Sequence, residues 1–195
     1  MKNKAYYFDY MATTPVDPRV IAKMLHYLGP DGDFGNAASI THVFGQKAFM
    51  AVGEARAKVA SVIGAQCDEI IFTSGATESN QLDIMGCSHL YKRKGMHLIT
   101  MQTEHPSVLG PMQQLEREGF TVSYLPPMID GLLNLEDFER ALRPDTILVS
   151  IMHVNNETGV IQDINKIHNI IKNKGIIFHV DAAQSIGKIA VKVDV

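Results

Sequence analysis

Thr146-Ile147-Leu148-Val149-Ser150-Ile151-Met152-His153-Val154-Asn155-Asn156-Glu157-Thr158-Gly159 is the stretch that decides the fold. Residues 146–152 are almost wholly apolar and do not alternate with polar ones. A strand with one wet face would alternate; this one reads as a strand buried on both faces. The residues that follow are small and polar and read as a loop. Downstream, Asp163 should cap a helix over 164–174, which Gly175 ends before a strand over 176–180. Upstream, the pattern gives a helix over 135–142, a strand over 121–125 and a helix over 107–118. Before these come a strand over 97–101 and a helix over 77–94, closed by basic residues and Gly95. Ile70-Ile71-Phe72-Thr73 reads as a further short strand. A long helix over 44–63 should stop at Gly64, and residues 18–28 place Ile21, Met24, Leu25 and Leu28 on one helical face. Short buried strands alternating with helices imply an α/β fold, a mainly parallel sheet with helices on both faces.

The composition is that of a globular chain. It has 195 residues, of which 46% are apolar and 20% charged. A chain of that length can bury about 70% of its extended surface. Lys plus Arg number 18 against 21 acidic residues, a net charge of −3. With no excess of positive charge to neutralise phosphates, direct nucleic-acid binding is not expected. The start, Met1 to Ala5, is charged and has no apolar stretch behind it, and no apolar run reaches the length of a membrane span. A cytoplasmic chain without membrane attachment is the expectation. Cys67 and Cys87 form no CxxC pair, so both are expected to be free thiols that serve packing.

Function is written at the ends of the expected strands. Ser74-Gly75-Ala76-Thr77-Glu78-Ser79 follows the first strand and Thr103-Glu104-His105 the second. His153 to Gly159 follows the 146–152 strand, and His179-Val180-Asp181-Ala182-Ala183-Gln184-Ser185 ends the last one. In a parallel sheet these ends share one edge, where ligands of open α/β sheets bind. Gly75 allows a tight turn, and the free N–H groups of the helix opening at Ala76 and Thr77 suit an anion such as phosphate. The segment is neither a Walker A loop nor GxGxxG; taken alone, Thr77 and Glu78 would be helix caps. His105 could stack on a planar ligand or carry a proton. Asp181 follows an apolar strand, and its buried carboxylate needs a partner, either a protonated ring nitrogen or a metal.

Taken together, the motifs resemble the N-terminal half of a cysteine desulfurase of the iron–sulfur cluster assembly type. The markers are Tyr7-Phe8-Asp9-Tyr10 with Ala12-Thr13-Thr14-Pro15, then Phe34-Gly35-Asn36, then 71–79, Thr103-Glu104-His105, 150–159 and 179–185. That family belongs to the class V aminotransferase-like, pyridoxal 5'-phosphate (PLP) dependent enzymes. The resemblance implies the aspartate-aminotransferase-like fold type I large domain, here incomplete: residues 1–15 as an N-terminal arm and 16–195 as a partial PLP-binding domain. It implies conversion of L-cysteine to L-alanine, with the sulfur passed on as a persulfide. It further implies that Ala76 and Thr77 hold the cofactor phosphate and that His105 stacks on the ring and moves protons. Asn156 would reach the ring hydroxyl side, Asp181 the pyridinium nitrogen and Gln184 the phenolic oxygen. An iron–sulfur scaffold protein, sulfur acceptors and a homo-oligomer are the partners implied.

The family's Schiff-base lysine lies in a Ser-Gly-His-Lys segment, and no such run occurs here. Lys188 lacks the matching context, and neither Cys67 nor Cys87 matches the persulfide cysteine. The substrate-binding arginine has no counterpart either. Met11, Ala37 and Gln81 also depart from the family pattern. The expectation is a chain inactive alone. The alternatives are a non-catalytic fragment or one piece of a split desulfurase acting as an interaction protein. A metal hydrolase built on His105, His153, His179 and Asp181 is a further alternative.

Overall fold

The expected helices form in the computed structural model, which describes residues 5–193, with those read to 94 and 174 ending a turn early at Tyr91 and Ile171. The Asp17 carboxylate accepts the Arg19 N–H, and Pro18 opens helix α1 (Pro18–Leu28). Helix α2 (Val43–Ile63) ends at Gly64, whose φ of 78° is the left-handed cap that glycine adopts without strain. Then come a 3₁₀ turn (Cys67–Glu69) and α3 (Ala76–Tyr91). The rest alternates: β1 (His97–Met101), α4 (Pro106–Arg117), β2 (Thr121–Leu125), α5 (Leu135–Ala141), β3 (Thr146–Ser150), α6 (Ile164–Ile171) and β4 (Ile177–His179). As expected, Asp163 caps α6, accepting the Lys166 N–H. The first four residues of the expected N-terminal arm lie outside the described residues.

The chain divides into two compact units, Met1–Ile71 with Ala190–Val195, and Phe72–Ile189. The second holds a four-stranded, wholly parallel sheet in the order β2-β1-β3-β4. Helices cover both faces. On one face Ile99, Met101, Val149 and Ile151 pack with Phe138 of α5 and Ile167 and Ile171 of α6. On the other, Leu98, Ile147 and Leu148 pack with Ile84 of α3 and Val108, Met112 and Leu115 of α4. Two consecutive β3 residues, Ile147 and Leu148, join the same cluster because the β1–β3 register shifts between His97 and Leu98. The extra residue of such a bulge resets the side-chain alternation.

Three expectations need correction. Ile70 to Thr73 form no strand: Ile71 is 71% and Phe72 51% exposed, and no described strand pairs with them. Local apolarity favours an extended chain but cannot supply the neighbouring strand that a ladder requires. Helix α1 forms, but Ile21, Met24, Leu25 and Leu28 are all exposed, Leu28 by 73%. The apolar spacing sets a helix face without determining what covers it. Cys67 is exposed and Cys87 only half-buried, so Cys67 is no packing residue.

Phe138 is fully buried between α5 and the sheet. Replacing it by Ala should lower the unfolding free energy by about 3–5 kcal/mol, read from urea denaturation curves.

Candidate functional site

The strand order reverses between β1 and β3, which are neighbours although β2 intervenes in sequence. Such a switch point splays the following loops apart and leaves a crevice at the carboxyl edge. The loop after β1 carries His105, the loop after β3 carries Asn156, and β4 leads into Asp181 and Gln184. Backbone pairing continues past the strands, Ile151 N–H to His179 O at 3.1 Å and His153 N–H to Asp181 O at 2.9 Å. Three of the four polar clusters therefore share this edge by sheet geometry. The fourth follows no strand. It opens α3, and Asn80, one turn into that helix, reaches the same edge.

Asp181 is buried, only 8% exposed. Its Oδ1 accepts the Ala183 N–H at 3.0 Å and its Oδ2 accepts from Asn80 Nδ2 at 2.8 Å. No cation pairs with it among the described residues. The Asn80 amide also donates to Ser107 Oγ at 2.9 Å, and Ser107 Oγ lies 2.8 Å from His105 Nδ1. Thus Asp181 and His105, remote in sequence, are joined by two side chains. Asn80 and Ser107 are absent from the residues singled out by sequence. The available signal was Asn80 itself, a poor helix former inside α3.

Two further bonds tie the loop after β1 to the loop after β3. Glu104 Oε1 accepts the Met152 N–H at 2.9 Å, and Asn155 Nδ2 donates to Thr103 O at 2.9 Å. The Asn155 side-chain Oδ1 in turn accepts the N–H groups of Glu157 and Thr158, shaping the loop that presents Asn156. Asn156 is half-buried and donates to Glu157 Oε1. Glu104 is 5% exposed, and its Oε2 has no partner among the described residues. Burial, together with the negative charge of Asp181 and against the Met152 N–H, pushes its carboxyl up to about 8. Glu104 is therefore mainly neutral at pH 7.

The α3 opening has Gly75 at its N-cap, with no side chain capping the first turn. The Glu78 carboxylate turns back instead to the N–H and hydroxyl of Ser74, both at 2.6 Å, and these bonds hold its pKa down. Ala76 and Thr77 are exposed residues at this uncapped helix start. Gln184 is half-buried, and Lys188 Nζ donates to its Oε1 at 3.0 Å. His179 bonds Ser150 Oγ at 2.8 Å, and burial lowers its pKa against the nearby Asp83 and Asp181 charges. Among the described residues no group of three or more His, Cys, Asp or Glu side chains is arranged to hold a metal ion. The geometry therefore gives the hydrolase alternative no support.

Residues 6–195 match the family described as aminotransferase class-V. The chain belongs to that family. Within the class-V aminotransferases it is 57% identical over 189 residues to a cysteine desulfurase IscS from Shewanella amazonensis, covering 97% of this chain and 47% of that relative. It is 60% identical over 185 residues to the IscS of Actinobacillus succinogenes, 95% of this chain and 46% of the relative. The chain thus spans about half the length of the curated relatives it matches. A structure described as "NIFS-LIKE PROTEIN" superposes with a TM-score of 0.91 at 40% identity, over 96% of this chain and 51% of the other. Another, "SspA in complex with cysteine", gives 0.91 at 43%, over 97% and 54%. The α/β architecture with its parallel sheet is that of fold type I PLP enzymes, present here as a partial domain.

The residues at the edge suit the PLP that this class employs. Among the described residues Asp181 offers a buried carboxylate with no cation beside it, α3 offers an uncapped first turn to an anion, and His105 offers an exposed ring at the far end of the hydrogen-bonded chain from Asp181.

The raised Glu104 pKa has a consequence for stability. The folded state holds a proton that the unfolded chain releases near pH 4.5, so stability is lost as pH rises toward 8. Glu104→Gln keeps an acceptor for the Met152 N–H and removes the titration. The wild type should lose about 3 kcal/mol relative to Glu104→Gln between pH 5 and pH 8, read from paired denaturation curves.

Proposed function

We propose that this chain supplies the ring-binding part of a PLP-dependent cysteine desulfurase, which converts L-cysteine to L-alanine and passes the sulfur on as a persulfide for iron–sulfur cluster assembly and thiolation. The observation that carries this reading is Asp181, a buried carboxylate held by two amide donors at the sheet's ligand-binding edge. The names of the desulfurase relatives and the cysteine bound in one similar structure support the substrate.

PLP, when bound, supplies an electron sink for bonds broken at the substrate's carbons. Asp181 would pair with the protonated ring nitrogen and preserve that capacity. The N–H groups of Ala76 and Thr77 would receive the phosphate, helped by the α3 dipole. His105 would cover the ring face and move protons through Nε2. Asn156 would orient the ring hydroxyl side and the substrate, and Gln184 would donate to the phenolic oxygen. On this reading residues 1–15 act as an arm and 16–195 as a partial large domain. The working protein is a cytoplasmic homo-oligomer serving a scaffold protein and sulfur acceptors. The 195 residues contain no Ser-Gly-His-Lys run, and the persulfide cysteine and substrate arginine have no match among them. The polypeptide alone would then hold PLP reversibly and be inactive.

A second reading is favoured by the exposed stripe of α1, where Met24 is 53% and Leu25 62% exposed. Such a stripe suits a chain that acts by associating with a second polypeptide rather than by catalysis.

PLP titration followed by absorbance should give weak, reversible binding to the 195-residue chain. Asp181→Ala should weaken it about ten- to a hundredfold, since a charge-assisted hydrogen bond is lost. Borohydride reduction and mass spectrometry should find no single stoichiometric lysine adduct; one at Lys188 would overturn the reading.

A further inference from the structure

We infer that Asn80 and Ser107 are positioning residues that fix the His105 imidazole, through a buried hydrogen-bond chain in which Asn80 donates to both Asp181 and Ser107, in the tautomer with its proton on Nε2. The inference rests on the proposed role of His105 in moving protons.

The direction of the relay follows from donor and acceptor chemistry. A carboxylate oxygen only accepts, so the group that Asn80 turns to Asp181 Oδ2, at 2.8 Å, must be its NH₂. The same nitrogen lies 2.9 Å from Ser107 Oγ, so Asn80 donates there too and spends both its hydrogens. Ser107 Oγ therefore receives a hydrogen from Asn80, and its own hydroxyl hydrogen is free to point at His105 Nδ1, 2.8 Å away. The Ser107 backbone N–H, a group that can only donate, also points at Nδ1, from 3.1 Å. A nitrogen accepting from two donors cannot carry a proton itself. The neutral ring must hold it on Nε2, the nitrogen for which no bond within the protein is needed.

Burial shields the relay. Asn80 is 4% exposed and Ser107 and Asp181 8% each, so water does not compete for these bonds. His105 is the exposed end. The relay thus joins the carboxylate proposed to pair with the ring nitrogen to the histidine proposed to cover the ring. Neither Asn80 nor Ser107 needs to touch cofactor or substrate for this.

The test is the ring tautomer of His105, read by long-range proton–nitrogen correlation on the ¹⁵N-labelled 195-residue chain without PLP. The wild type should show the Nε2–H form. Ser107→Ala keeps the backbone donor but removes the hydroxyl, and should lower the ratio of Nε2–H to Nδ1–H about fivefold. Asn80→Ala should shift the ratio the same way, because the Ser107 hydroxyl loses the donor that orients it. Ser107→Thr should restore the wild-type signature, which a merely structural role would not predict. A wild-type ring with its proton on Nδ1 overturns the inference. So does a folded Ser107→Ala chain with wild-type resonances. If Asn80→Ala does not fold, the wild-type and Ser107 measurements decide. Because PLP is absent, failure of PLP binding leaves this result standing, and a wrong tautomer leaves the PLP titration unaffected.

Discussion

The organisation of the edge rests on one carboxylate taken out of water. Asp181 lies beyond the end of β4 with its charge satisfied by the Asn80 amide and the Ala183 N–H. A buried charge without partners costs several kcal/mol, so these donors have to stay in place. Asn80 belongs to α3 and Ala183 to the turn after β4; holding Asp181 therefore holds the helix against the sheet edge. The second hydrogen of Asn80 extends the arrangement to the start of α4 through Ser107. A demand for solvation at one atom thus becomes a constraint on three segments.

Around that carboxylate the sheet edge is braced by bonds between its loops. Glu104 and Asn155 each cross from one loop to the other at the point where the strand order reverses. Without such ties the loops after β1 and β3 would diverge, since parallel strands connected in opposite directions carry their chains apart. The Glu104 tie comes with a carboxyl whose second oxygen is orphaned and whose pKa burial, with the nearby Asp181 charge, pushes up to about 8. Orphaned polar groups of this kind are kept where geometry matters more than stability.

Much of this was readable from the chain. The largely apolar, non-alternating run at 146–152 gave a strand buried on both faces, because only a two-sided sheet tolerates such a run. Asp163 and Gly64 marked helix ends, each for a reason local to its own backbone. Asp181 and His105 stood out because polar residues directly after buried strands must meet solvent, a ligand or each other. The 70–73 segment, the α1 stripe and Cys67 went the other way. Each has the local pattern of a strand, a buried face or a core thiol, and each lacks the neighbour that would complete it among the described residues.

The sequence by itself determined the alternation of elements, the parallel sheet and three of the polar clusters at its carboxyl edge, since these follow from periodicity, capping and strand ends within short windows. Only the tertiary structure decided how those residues are connected. Asn80 lies 27 residues from Ser107 and 101 from Asp181, yet one amide touches both. Glu104 likewise reaches the main chain of Met152, 48 residues on. Bonds of this length in sequence arise from the order in which strands stack, and no local pattern of residues encodes that order.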